Sequence, residues 1–243
     1  NRSGHSNWNN IKRRKEATDA VKGNIFTKIG REISVCVKES GADPNNNSRL
    51  RDLIAKAKSN NVPNDNIDRI IKKASGEDSK NSYEAITYEG YGPGGVAVIV
   101  ECLTDNKNRT AADVRHYFDK FGGNMGTAGC VLFMFSQKGI VQIENIGYDE
   151  DKVIEDSFEY DSQDVSFEDD IITVVVDPAS LHDAREGLTD KGYNVLSADA
   201  MQIPATYTAL TDEENIRKMD LLLERLEDND DVQNVWHNYL VGS

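Results

Sequence analysis

The sequence predicts an α+β fold made of a small helical domain and two α/β domains, one inserted into the other. Apolar residues recur at helical spacing between residues 24 and 76, and strand-like runs first appear after residue 82. From Gly139 to Pro204 the order is strand, helix, strand, strand, helix, strand, which is that of a ferredoxin-like unit. The expected parts are a basic arm (1–23), a helical domain (24–76), a discontinuous α/β domain (83–138 and 205–243) and the ferredoxin-like insertion (139–204).

Three apolar stripes predict the helical domain. Gly41 and Gly76 end the first and third helices, and Asn47–Ser48 and Pro63–Asn64 begin the second and third. Short helices with one apolar stripe each can bury those stripes only against one another. The stripes are Ile25, Ile29, Ile33 and Val37; Leu50, Leu53, Ile54 and Ala57; and Ile67, Ile70, Ile71 and Ala74.

The discontinuous domain is predicted from two segments that lie far apart in the chain. Each segment is too small to close a sheet alone, so we expect them to combine around the insertion. A helix with Val114 and Phe118 belongs to the first segment, and a helix entered through a capping box at Thr211–Glu214 belongs to the second. The predicted strands are Tyr83–Glu89, Val96–Leu103, Val131–Phe135 and Val232–Tyr239.

Positive charge is concentrated at the start of a chain that is acidic overall. The formal net charge is −14, yet residues 1–80 contain 17 Lys+Arg and 10 Asp+Glu, a net of +7. Residues 81–243 contain 11 and 32, a net of −21. This asymmetry indicates a polyanionic partner at the basic end.

The arm contains the consecutive cations Lys12–Lys15, with Trp8 close by in the sequence. A charge run is most often a solvated helix face, but here few apolar residues are present to fix the segment against a core. Lys and Arg neutralise phosphates, and an aromatic ring can stack on a base. Further cations follow at Lys22, Lys28 and Arg31, so we favour contact with nucleic acid.

The sequence contains no recognisable catalytic site, and neither a cofactor nor a bound metal is expected. No nucleophile–base pair, paired-carboxylate site or cofactor fingerprint is visible. The acidic clusters Glu168–Asp170 and Asp228–Asp231 fall at element ends, where carboxylates are ordinary turn formers. Cysteines and histidines lack metal-ligand spacing and are interpreted as packing or scattered residues. They are Cys36, Cys102 and Cys130, and His5, His116, His182 and His237.

A soluble, cytoplasmic protein is expected. No apolar run approaches the ~20 residues that span a bilayer, and the start of the chain has no apolar core of a signal peptide. Neither a membrane nor a small-molecule substrate is predicted as a partner, and a monomer is plausible.

The segment GGNMGTAG, Gly122–Gly129, resembles a phosphate loop in composition. A phosphate loop follows a strand and opens a helix, whereas here a helix ends and a strand begins. Ending a helix needs one glycine, so the surplus predicts close approach of the backbone to a partner. The candidate contact residues are Gly122, Gly123, Asn124, Met125 and Gly126.

Several dispersed motifs resemble those of the YebC/PmpR family over the whole chain. They are GHSNWNNIKRRKEATDAVKGNIFTKIGREI, YEGYGPGGVAVIVECLTDNKNRTAADVRHYFDKFGGNMGTAG and DDVQNVWHNY. Two departures are small: Asn7 stands where the family commonly has Lys, and Cys130 where Ser is common.

The resemblance implies a three-domain α+β protein that regulates gene expression without enzymatic activity. Family members are usually described as DNA-binding transcriptional regulators. Others resemble translation factors that act on ribosomes stalled at proline runs, or the mitochondrial translational activator of cytochrome oxidase. The residues implied as nucleic-acid contacts are His5, Trp8, Lys12, Arg13, Arg14, Lys15, Lys22, Lys28 and Arg31.

Three functions therefore stay open at this point. The first is a DNA-binding transcriptional regulator, and the second is a ribosome-associated factor that binds ribosomal RNA. The third, a metal-dependent phosphoesterase that uses the acidic clusters, is the least favoured. The residues alone do not choose between DNA and RNA.

Overall fold

The computed structural model describes residues 24–76 and 82–241, so the predicted arm lies outside the described residues. Its first part is a bundle of three helices, α1 (Ile25–Ser40), α2 (Ser48–Ser59) and α3 (Asn64–Ser75). The Asn47 side chain caps α2 by accepting from the Leu50 amide at 3.1 Å, as the sequence predicts. The three predicted stripes share one core around the fully buried Ile33 and Leu50. We call residues 24–76 the head and residues 82–241 the body.

Two four-stranded antiparallel sheets form the body. The first contains β1 (Glu84–Tyr91), β2 (Ala97–Thr104), β3 (Asn124–Met125) and β8 (Val232–His237) in the order β3-β1-β2-β8. One face is covered by α4 (Lys107–Lys120) and α7 (Glu213–Asp228). Alternation along β2 explains the packing: Val98 and Val100 face these helices, and Ala97 and Ile99 face the second sheet.

The second sheet has the ferredoxin-like order β5-β6-β4-β7. Its elements in chain order are β4 (Phe135–Glu144), α5 (Glu150–Phe158), β5 (Asp164–Phe167), β6 (Ile171–Val176), α6 (Leu181–Asp190) and β7 (Val195–Pro204). Helices α5 and α6 cover one face through Val153, Ala184 and Leu188, and the other face packs on the first sheet. The predicted fold of a helical head with two α/β lobes, one inserted, is confirmed.

Three local expectations differ from the structure. The predicted strand Val131–Phe135 is a 3₁₀ turn at Leu132–Met134, after which β4 begins at Phe135. β4 continues across the expected domain boundary at 138/139, so the exact residue limits of the domains stay a prediction. Helix α7 is capped by Asp212, whose side chain accepts from the Glu214 amide at 3.2 Å, one residue later than the expected box.

Within residues 24–76 and 82–241, no helix is both long enough and apolar enough to cross a bilayer.

Candidate nucleic-acid interface

The structure places Lys28 between the head and the end of α7. Its side chain is buried, and its ammonium donates to the Glu227 carbonyl at 2.5 Å. Asn24 donates to the same carbonyl at 3.0 Å and to the Asp228 carbonyl at 2.9 Å. Burial lowers the pKa of Lys28, partly offset by nearby carboxylates. Lys28 and Asn24 together thus satisfy the last carbonyls of a helix, where the positive charge of Lys28 is favourable.

Arg31, one turn further along α1, also bonds to the body. Its Nη1 donates to Asp231 Oδ1 at 2.8 Å and to the Leu103 carbonyl at 3.0 Å, and its guanidinium lies 5.0 Å from the centre of the Tyr83 ring. Lys28 and Arg31 are therefore brought together, but each is occupied by internal contacts. A nucleic-acid role for these two stays a prediction. The remaining candidates lie outside the described residues: His5, Trp8, Lys12, Arg13, Arg14, Lys15 and Lys22.

Asp231 is the buried acceptor at the centre of this contact. Besides Arg31 it accepts from Arg109, at 2.8 Å to Oδ1 and 3.0 Å to Oδ2, and the Thr110 hydroxyl lies 2.9 Å from Oδ2. Burial would raise the pKa of Asp231, but the hydrogen bonds from Arg109, Arg31 and Thr110 outweigh it and lower the pKa. At least one member of the acidic cluster 228–231, Asp231, therefore joins the head to the body.

The head also exposes cations that sequence reasoning did not single out. Arg69, Lys72 and Lys73 are exposed on α3 at the spacing i, i+3, i+4, so they share one face of the helix. That face is opposite the buried Ile67 and Ala74. The sequence does contain a signal for this face, because the three cations fall between the apolar positions of the third stripe. The cations of the arm, by contrast, are consecutive at Lys12–Lys15.

The glycine-rich segment lies against the body's own strand β1. Asn124–Met125 forms β3, which pairs with Tyr91 and Gly90. A Cβ at Gly123 would collide with the Tyr91 carbonyl, and one at Gly126 would lie 2.7 Å from Cys130 Sγ. Gly122 follows α4 with a φ of +78°. The backbone of these glycines lies close to the body's own strand β1 and to Cys130; the expected contact with a second molecule stays a prediction.

A buried carboxylate organises the chain after Gly126. Glu89 on β1 is 4% exposed, and it accepts from the amides of Gly129 at 2.6 Å, Leu132 at 2.7 Å and Val131 at 3.1 Å. Three amides directed at one carboxylate bend the chain, which explains why a turn replaces the predicted strand. Sequence reasoning missed Glu89 because one acid in an alternating strand has no distinguishing pattern.

The turn held by Glu89 presents apolar side chains to solvent. Phe133 is 77% exposed and Leu132 is 41% exposed. The whole segment 122–135 contains no Lys, Arg, Asp or Glu. It therefore offers an uncharged, apolar surface rather than one that would attract phosphates.

A second line of contacts joins α2 of the head to α6 of the insertion. Arg51 Nε donates to Glu186 Oε1 at 2.9 Å, and Asp52 Oδ1 lies 2.7 Å from His182 Nδ1 and accepts from Arg185 Nε at 2.9 Å. The Arg51 hydrogen bond, followed by the other nearby cations, lowers the pKa of Glu186. The head thus contacts both lobes of the body.

The acidic clusters do not form a metal site within the described residues. Among residues 24–76 and 82–241, no group of three or more His, Cys, Asp or Glu side chains has a metal-holding arrangement. Glu168–Asp170 occupies the turn between β5 and β6, in which the Glu168 amide donates to the Ile171 carbonyl at 2.9 Å. The cluster therefore reads as a hairpin connection.

Two family models match the chain. One, described as the TACO1/YebC protein N-terminal domain, matches residues 6–77, and the other, the TACO1/YebC second and third domain, matches residues 83–239. A relative from Ruminiclostridium cellulolyticum is 56% identical over 98% of this chain and 96% of its own length, and one from Acetivibrio thermocellus is 52% identical over 98% of each. Both are named "Probable transcriptional regulatory protein".

A solved structure is also similar. The crystal structure of a conserved hypothetical protein from Aquifex aeolicus matches with a TM-score of 0.79 and 39% sequence identity, over 91% of each chain. The similarity extends to the helical head as well as to both lobes, since the match covers nearly the whole chain.

Proposed function

The chain belongs to the TACO1/YebC family, and we propose from that premise that it is a non-enzymatic, DNA-binding transcriptional regulator that acts in the cytoplasm. Relatives named as transcriptional regulatory proteins support a regulator, and their names do not point to an enzyme. DNA contact by the arm and the head is our proposal. His5, Trp8 and the arm cations Lys12–Lys15 are the residues we assign to it, with Lys22.

The observation that carries the proposal is the separation of charge. The first 80 residues have a net of +7, and the rest has a net of −21. An acidic body repels phosphates, so affinity for a polyanion must come from the basic end. The exposed face Arg69, Lys72 and Lys73 extends that end onto a folded helix. No helix of the head is assigned to reading base edges, so the contacts we propose are mainly to phosphates.

Ribosome association is a second candidate, and the segment 122–135 favours it. An uncharged surface on which Phe133 is a highly exposed apolar side chain adds nothing to phosphate attraction. It does suit a crowded RNA cleft, where an aromatic side chain can stack on an unpaired base. In this alternative the head contacts ribosomal RNA, and the segment contacts a neighbouring component of the ribosome.

Crosslinking in cells tests the proposal directly. The full chain is crosslinked, and the bound DNA and the bound RNA are both sequenced. Enrichment of discrete chromosomal sites supports transcriptional regulation, and enrichment of ribosomal RNA without chromosomal sites replaces it with the second candidate. A screen for metal-dependent phosphoester cleavage tests the third reading, in which the acidic clusters are catalytic.

A matched pair of variants separates the first two candidates in vitro. Phe133→Ala removes the exposed ring without touching the core, whereas Gly126→Val is unsuitable because its side chain would collide with Cys130. If the protein acts on ribosomes, Phe133→Ala lowers reporter synthesis through a proline run and leaves duplex affinity unchanged. Ile146→Ala, at a similarly exposed apolar residue of the insertion, is the control.

A further inference from the structure

The contact between head and body is polar. Ile33, Leu50 and their neighbours form a core confined to residues 25–74, and the other three hydrophobic clusters of the described residues belong to the body. The side-chain contacts described above that cross the boundary are hydrogen bonds, ion pairs and the contact of Arg31 with the Tyr83 ring. Such an interface resembles those between domains that move relative to one another.

One side of the interface lies beside the covalent connection. Residues 77–81 join α3 to the strand that begins at Glu84, and Tyr83, next to that connection, stacks with Arg31. The contacts of Arg31 and Lys28 with the end of α7 are therefore close to where the chain itself ties the head to the body. We call this group the hinge contact.

The other side is the contact of α2 with the insertion. It consists of Arg51–Glu186, Asp52–Arg185 and Lys56–Asp199, the last with 3.5 Å between Nζ and Oδ1. These side chains are 16% to 38% exposed. Partly solvated ion pairs contribute little stability each and weaken with salt. We call this group the clasp.

A cleft of about 750 Å³ lies between the hinge contact and the clasp. Its walls come from α2, β7 and β8, with Ala55 and Ser59 on the head side and Ser197 on the insertion. The head is thus held at two edges rather than packed along its whole surface. Separation at the clasp would break few apolar contacts.

Binding of a polyanion to the head opposes this closed arrangement. In the closed state the head is bonded to a body with a net charge of −21, so a phosphate chain bound to the head is held near that charge. Closure also ties Arg51 and Lys56 to carboxylates of the body. Both effects raise the free energy of the bound, closed state, so a polyanion favours an open one.

We propose that the clasp is an autoinhibitory contact: it holds the cationic head against the acidic insertion, and binding of a nucleic-acid polyanion to the head opens it. The proposal rests on the function proposed above for the head. By linkage, weakening the clasp strengthens binding, and binding weakens the clasp by the same factor.

The test weakens two of the three clasp pairs without changing the head. The double variant Glu186→Gln/Asp199→Asn neutralises the two body carboxylates of the clasp and keeps every cation of the head. The control Asp169→Asn/Asp190→Asn removes two exposed charges from the same insertion, and neither residue bonds to the head among the described contacts. Both proteins lose the same net charge, so their long-range repulsion of phosphates falls equally.

Binding is titrated with a random-sequence 20-bp DNA duplex and with poly(U) RNA, and the radius of gyration is measured by small-angle X-ray scattering. The clasp variant should bind both probes about three- to tenfold more tightly than the control. It should also have a larger radius of gyration without any probe, and the native chain should expand when a probe is added. Equal affinities and equal radii for the two variants overturn the proposal, while leaving the proposed function intact.

Failure of the proposed function gives a different result. If neither probe binds the native chain at low salt, the head has no polyanion partner, and both proposals fail together. If the clasp variant expands but binds no better than the control, the clasp restrains the head without inhibiting binding, and autoinhibition is wrong.

Discussion

Arg31 and Asp231 lie 200 positions apart in the chain, yet 2.8 Å separates Nη1 of the arginine from Oδ1 of the aspartate. Arg31 is on the first helix of the head, and Asp231 follows the last helix of the body. Because Arg109 binds the same carboxylate, one buried acid connects α1, α4 and the segment before β8. The orientation of the head therefore depends on Asp231, which belongs to the acidic cluster 228–231 at the end of α7, just before β8.

Replacing Asp231 should destabilise the fold. Asp231→Ala leaves Arg31 without its carboxylate partner in a site where the arginine side chain is 15% exposed. Breaking a fully buried pair costs about 3–5 kcal/mol, and because Arg109 is half-exposed we expect about 2–4 kcal/mol here. Urea denaturation measures the loss.

The matched control for that change is Asp230→Ala, which removes an exposed carboxylate from the neighbouring position. Its effect should stay within about 0.5 kcal/mol. Equal losses for the two variants would mean that the Asp231 network contributes no more than an ordinary surface charge.

The stabilisation from Asp231 should depend on pH in the acid range. Its pKa is lowered in the folded state from the ordinary value of 3.8, so the unfolded chain binds the proton more readily. The contribution is complete above the unfolded pKa and declines as the pH falls through the lower, folded pKa. The difference in unfolding free energy between the native chain and Asp231→Asn should therefore be complete at pH 6 and shrink as the pH falls below 3.8. A difference that persists unchanged at pH 2 contradicts this assignment.

Glu89 should control the order of the segment after Gly126. Glu89→Gln keeps the size of the side chain but replaces a charged acceptor of three amides with a neutral group. We expect a loss of about 1–3 kcal/mol and faster hydrogen exchange at the amides of 129, 131 and 132. Glu84→Gln, at an exposed pair with Lys107, is the control and should change neither. Unchanged exchange at these amides would show that other contacts hold the turn.

The fold could be read from the sequence where a local pattern decides the structure. Ile33 and Leu50 fall on helical stripes, and the six-element order after Gly139 leaves few alternatives to a ferredoxin-like sheet. The role of Arg31 could not be read in the same way, because its partner Asp231 is brought near only by the complete fold. A cation in a basic segment looks the same whether it binds phosphate or a buried carboxylate. Glu89 was missed for the same reason, since its three partners are backbone amides of another segment.

The arm should act mainly through its charge. Replacing Lys12, Arg13, Arg14 and Lys15 with Ala removes four cations that we assign to phosphate contact. If each neutralises one phosphate, the slope of log affinity against log salt on duplex DNA should become shallower by about 3–4, and by somewhat less on single strands. Replacing the body cations Lys120, Lys138, Lys152 and Arg217 with Ala changes the net charge equally but should leave the slope unaltered, because these residues lie on the acidic part. Thermal unfolding of both variants should match the native chain. If the slope of the arm variant equals that of the native chain, the four cations are a solvated surface, and affinity must come instead from the face formed by Arg69, Lys72 and Lys73.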